Sequence, residues 1–154
     1  MRRFNFRLEG ILRYRSMIEE RRKMDLARET SLYERALKSL AEVRERIADV
    51  EGRLARKSAE GLTAAEARIH LRYLSFLREI ERERQREVEE AGRRLEEARR
   101  KLIKSRRERK TVETLKERAY ELYLEELKRD ERKLIDEVSA NKVARSISDE
   151  RRSP

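Results

Sequence analysis

His70 is the one histidine of the chain, and Glu79, Glu81, Glu83 and Glu87 follow it at short intervals. An imidazole and a carboxylate can pass a proton between them, so these are the groups to weigh first for general acid–base chemistry. Such chemistry needs a concave site that shifts pKa values and brings the groups together. The spacing suits something simpler: an exposed helical face on which carboxylates pair with arginines one turn away. There is no cysteine, which removes thiol nucleophiles, disulfides and thiolate metal sites. No glycine-rich phosphate loop occurs either. The residues therefore predict a protein that is not an enzyme, with no catalytic residue, no metal site and no cofactor.

The remaining chemistry is that of charge. Lys and Arg number 42 against 32 Asp and Glu, a net charge of +10. A basic excess of this size admits nucleic acid, an anionic membrane or an acidic protein surface as partner. Nucleic acid is the weaker choice, because no aromatics interleave with the basic residues as a base-stacking platform requires.

The elements that must carry these groups are long helices. Charged residues make up 48% of the chain and aromatics 5%, and the one proline is Pro154. From Ala64 to about Ala140 nothing obliges a helix to stop. Positions three and four apart form one stripe: Leu74, Leu77, Glu81, Arg84, Val88, Ala91, Leu95, Ala98, Leu102, Ser105, Arg109 and Val112. This is coiled-coil spacing, which keeps a seam turned towards a partner helix. At a rise of about 1.5 Å per residue the helix would be on the order of 100 Å long, so a rod is expected. The mixed signs of charge and the repeated seam argue against disorder, the competing reading of so charged a chain.

A first helix is predicted over about 4–57. Phe4, Leu8, Ile11, Arg15 and Ile18 keep the alternation, a slip follows from Arg22 to Leu26, and Tyr33, Ala36, Leu40, Val43, Ile47, Val50 and Leu54 resume it. The break lies at 58–63: Gly61 can take a left-handed conformation, and Thr63 with Glu66 fits a capping box. A short link favours antiparallel neighbours. The expected fold is all-α, an antiparallel coiled-coil hairpin over 1–142 that turns near Gly61, its second helix over about 64–140. A flexible basic tail follows over 143–154. Folding about Gly61 sets Tyr33 near Glu89 and Phe4 near Arg118. It also lays two basic blocks, Arg2–Lys23 and Arg99–Lys110, side by side in mutual repulsion, and gives the projecting end from Glu121 to Glu137 an acidic bias.

Two apolar groups exceed what a single seam needs. Tyr73, Phe76 and Ile80 repeat the helical spacing one step off the seam beside Leu77, either as a wider packing face or as a docking patch. Phe4, Phe6, Leu8, Ile11 and Leu12 gather at the open end with Leu115, Tyr120, Leu122, Tyr123 and Leu127. They either staple the termini or offer a tip made for a socket. No apolar run approaches the roughly 20 residues that cross a bilayer. Met1–Phe6 lacks an apolar signal core, so a soluble cytoplasmic protein is expected.

Three stretches resemble one family. Phe4-Asn5-Phe6-Arg7-Leu8-Glu9 with Ile11-Leu12-Arg13-Tyr14-Arg15 is similar to the opening motif of the flagellar export protein FliJ. Leu115-Lys116-Glu117-Arg118 with Tyr123, Glu131 and Asp136-Glu137 resembles its closing signature, and Leu71–Ile80 its region after the hairpin. Ser146–Pro154 matches nothing in that pattern. The resemblance implies a non-catalytic stalk of the type III export apparatus at the cytoplasmic face of the flagellar basal body. The partners it implies are the export ATPase hexamer, the cytoplasmic domain of the export gate, and export chaperones. Membrane association would come only through those partners. Phe4–Leu12 and Leu115–Leu127 would then enter the ATPase ring, and Tyr73, Phe76, Leu77 and Ile80 would meet the gate. A virulence-type secretion stalk and a basic coiled coil binding nucleic acid are the alternatives.

Overall fold

Helix α1 spans Glu9–Glu60 and helix α2 spans Ala64–Glu150 in the computed structural model, which describes residues 3–151. They run antiparallel as a helical hairpin, and no strand occurs among the described residues. The chain divides into a turn unit, Met17–Arg106, and a terminal unit, Met1–Ser16 with Arg107–Pro154.

The turn unit begins with the predicted cap. Gly61, at φ 104°, ends α1 in a conformation that costs an L-residue strain. Thr63 Oγ1 accepts from the Glu66 N–H at 3.3 Å, and Glu66 Oε2 accepts from the Thr63 N–H at 3.2 Å. The Thr63 N–H, and then its hydroxyl, hold the Glu66 carboxyl below its ordinary pKa. A depressed carboxylate contributes stability above its unfolded pKa and loses it as pH falls through the folded one. The cap is therefore complete at neutral pH and weakens in acid.

Along this unit the α2 seam is the predicted one. Leu74, Leu77, Val88, Ala91, Leu95, Ala98, Leu102 and Ser105 are buried, as are Leu40, Val43 and Ile47 of α1. Val43, Ile47, Leu74 and Leu77 form one cluster, with Val50, Leu54 and Ile80 packed against it. The register is one helical turn beyond the expected one. Tyr33 lies against Gly92 instead of Glu89, because the turn over 61–63 centres on Leu62 and not on Gly61. The ring has room there, since Ala91 and Gly92 are the smallest pair of neighbours in α2.

The predicted slip in α1 is absent. Counting back from Tyr33, the same alternation continues through Glu29, Leu26, Arg22 and Glu19, and Ile18 lies beside it. Polar residues in seam positions made the pattern look broken. They are accommodated by ion pairs: Glu29 with Arg94 at 3.5 Å, and Glu19 with Arg106 at 3.5 Å and Lys23 at 3.6 Å. The Glu19 side chain is only 6% exposed, while Arg106 and Lys23 keep much of their surface in water. The predicted repulsion of two basic blocks is relieved in the same way. Arg22 pairs with Asp25, Lys23 with Glu20, Arg99 and Arg100 with Glu96, and Lys101 with Glu97. Pairs this exposed contribute at most about 1 kcal/mol each, so they remove a penalty more than they add stability.

In the terminal unit the seam runs through Leu8, just before α1, Leu12 and Arg15 of α1, and Arg109, Val112, Lys116, Ala119 and Tyr123 of α2, all half-buried. Arg15 pairs with Glu108 at 2.6 Å and Lys116 with Glu9 at 2.8 Å. Ile11, predicted in the seam, is 45% exposed because Leu12 takes its place. Helix α2 then continues to Glu150, where loss of periodicity had predicted an end near 140 and a tail from 143. Periodicity reports a partner, not helicity: no proline or glycine lies between Gly92 and Pro154 to stop the backbone. From Lys128 to Ser148 every side chain is exposed. Residues 152–154 of the predicted tail lie outside the described residues.

Two outcomes follow for stability. Glu19→Leu removes a buried carboxylate while its cations stay solvated, so urea unfolding should show a gain of about 1–2 kcal/mol; a loss would mean that the ion pairs outweigh desolvation. Gly52 has no atom within 4 Å of an added Cβ and sits inside α1, whereas Gly61 needs its positive φ. Gly52→Ala should therefore stabilise by about 0.5–1 kcal/mol, and Gly61→Ala should destabilise by about 1–2 kcal/mol, both read from thermal melts.

Candidate docking surfaces

The terminal unit gathers most of its aromatic surface at one place. Phe4 precedes α1, where the Phe6 carbonyl accepts from the Glu9 N–H at 3.1 Å and starts the first turn. That turn carries the Phe4 ring to Tyr120, edge-on at 5.1 Å between centroids, and to Tyr123 at 5.5 Å. The two tyrosines stack at 6.1 Å. The expected neighbour, Arg118, is displaced by the same one-turn shift of register seen at Tyr33. Phe4, Phe6, Leu8, Leu12, Tyr123 and Leu127 are half-buried, and Ile11, Leu115, Tyr120 and Leu122 are exposed. The predicted set thus splits into an inner layer that closes the termini, with Tyr120 at its edge against Phe4, and an outer layer of Ile11, Leu115 and Leu122 open to solvent. Arg7, Arg13, Lys110 and Arg118 are exposed and carry no ion pair among the described residues. The outer layer is therefore apolar and fringed by free cations.

In the turn unit the second predicted set divides more sharply. Tyr73 and Phe76 are exposed, at 44% and 56%. Leu77 is not available to a partner: at 2% exposed it belongs to the core, because it occupies a seam position. Ile80 is half-buried and packs on that core. The outward stripe is Ile69, Tyr73 and Phe76, at intervals of four and three. Ile69 was missed, although extending the spacing one step towards the cap would have found it. Also missed were Leu134 and Ile135 of α2, which with Tyr123, Glu126, Leu127, Asp130 and Glu131 line an open groove of about 710 Å³.

Among the described residues no helix is long and apolar enough to cross a membrane. What these surfaces offer is exposed apolar area on helices.

A family model for the flagellar FliJ protein matches residues 4–148, nearly the whole chain. The chain belongs to the FliJ family. A search of curated proteins gives no match. Among solved structures, a putative YscO homolog, CT670 from Chlamydia trachomatis, superposes with a TM-score of 0.67 at 19% identity, covering 96% of this chain and 99% of that one. At that identity the likeness concerns the fold: this FliJ-family chain and the YscO homolog share the helical hairpin.

The aromatic cluster makes a direct prediction. Phe4→Ala removes both ring contacts and should cost about 2–4 kcal/mol in the stability of the terminal unit. Hydrogen exchange over Leu8–Arg15 should quicken accordingly; unchanged protection there would show that Phe4 does not hold the termini.

Proposed function

We propose that this FliJ-family chain is a non-catalytic, cytoplasmic stalk of the flagellar type III export apparatus, acting by docking. Its terminal unit enters the hexamer of the export ATPase, and the Ile69–Tyr73–Phe76 face of its turn unit meets the cytoplasmic domain of the export gate. Export chaperones are further partners, and its position at the basal body comes through these contacts. The observation that carries the reading is the split of the terminal set. Phe4, Tyr120 and Tyr123 lock the two chain ends together, while Ile11, Leu115 and Leu122 remain open to solvent beside free cations.

An exposed apolar core with a polar rim is how protein interfaces are built, and aromatic anchors carry most of their energy. Nucleotide chemistry belongs to the ATPase on this reading, because the chain offers a docking surface where catalysis would need convergent, water-excluded groups. A stalk of a virulence-type secretion system is the alternative. The match of a flagellar family model over residues 4–148 favours the flagellar assignment.

Binding of the purified chain to the export ATPase tests the first contact. Ile11→Lys with Leu115→Lys should weaken it tenfold or more, about 1.4 kcal/mol, with helix content unchanged. Tyr73→Lys with Phe76→Lys should spare ATPase binding and lose the gate domain. Wild-type affinity in both variants would overturn the assignment.

A further inference from the structure

Within the turn unit, α1 carries a second stripe on the side away from its seam. Met17, Arg21, Met24, Arg28, Ser31 and Arg35 stand alternately four and three apart, with Lys38 at the end. Met24 lies two residues past Arg22 of the seam, Arg28 two past Leu26 and Arg35 two past Tyr33, about 200° round the helix in each case. Helix α2 accordingly leaves all but Ser31 exposed. Met17 is open to 59% and Met24 to 69%, and the four cations are exposed with them.

This stripe contains no carboxylate. Arg28 has only Asp25, at 3.3 Å, which it shares with Arg22. Arg21, Arg35 and Lys38 carry no ion pair among the described residues. The acids beside the stripe are turned elsewhere: Glu20 is taken by Lys23 at 2.7 Å, and Glu34 lines a lateral groove with Leu102. The next position along is Glu42, where the sign reverses and the stripe ends. It is thus a straight cationic line about 30 Å long, its arginines recurring every seven residues, about 10 Å apart. Two unbranched, polarizable thioethers sit between them.

We infer that this stripe is a docking face for an acidic amphipathic helix of a partner protein. A helix laid along it can present carboxylates at the same heptad interval, one for each arginine. Each guanidinium can take a carboxylate through two parallel N–H donors. Met17 and Met24 mould to the apolar residues that lie between. Nucleic acid fits less well, because the stripe has no aromatic ring on which a base could stack. A lipid surface also fits less well, because cations interrupt the apolar positions that would have to sink into it. This face shares no residue with either contact proposed above.

The chain has three methionines, Met1, Met17 and Met24. A methyl-labelled chain therefore reports on this face through two signals, with a third as reference. Titration with a synthetic helical peptide bearing leucine and glutamate along one face should shift the Met17 and Met24 signals ahead of Met1. Arg21→Glu with Arg35→Glu should weaken that binding tenfold or more at unchanged helix content. Arg82→Glu with Arg86→Glu makes the same change of charge on exposed residues of α2 and should leave it within twofold. Unmoved Met17 and Met24 signals, equal losses in the two variants, or equal binding of the peptide with lysine in place of glutamate would overturn the inference. So would tighter binding of single-stranded RNA or of phosphatidylserine vesicles at these methyls. A doubled mass of the free chain that Arg21→Glu with Arg35→Glu abolishes would give the face to a second copy instead.

Discussion

Burial in this protein is confined to one stripe on each of two helices. A helix that meets a single neighbour can hide only the residues that recur every three and four positions, and everything else stays wet. Among the described residues no large side chain is wholly shielded from water. That limit governs the rest. Ion pairs on so wet a surface are screened and individually weak. What such a fold can do well is present surface.

The seam itself is not uniform. Near the turn it is aliphatic, with Val43, Ile47, Leu74 and Leu77 in mutual contact. Further along the turn unit it admits Glu19, Arg22 and Glu29, and in the terminal unit Arg15, Arg109 and Lys116. Charged residues in such positions cost stability and tolerate few alternative alignments, since each must find its counter-ion. Glu19 finds Arg106, Glu29 finds Arg94 and Arg15 finds Glu108. Read this way, the aliphatic stretch supplies cohesion and the ionic stretch supplies alignment.

Much of this was legible before any coordinates. The α2 seam could be counted because its buried positions, Ser105 apart, are apolar among the described residues. The turn announced itself through Gly61, Thr63 and Glu66, whose chemistry is local. The α1 seam was misread between Ile11 and Leu26 because hydrophobicity was taken as the sign of burial, and at Glu19 the buried residue is charged. The one-turn error in register arose from the turn, where a single residue decides which side chains meet along the whole hairpin. The far end of α2 was shortened because lost periodicity was equated with lost helix. The two apolar groups were legible as groups, but sequence could not separate Leu77, which is buried, from Phe76, which is exposed.

The bare far reach of α2 carries a physiological cost. Leucine, isoleucine and valine held in water on a helix with nothing packed over them are what quality-control proteases and aggregation both recognise. Whatever covers that stretch would therefore shelter the chain from both.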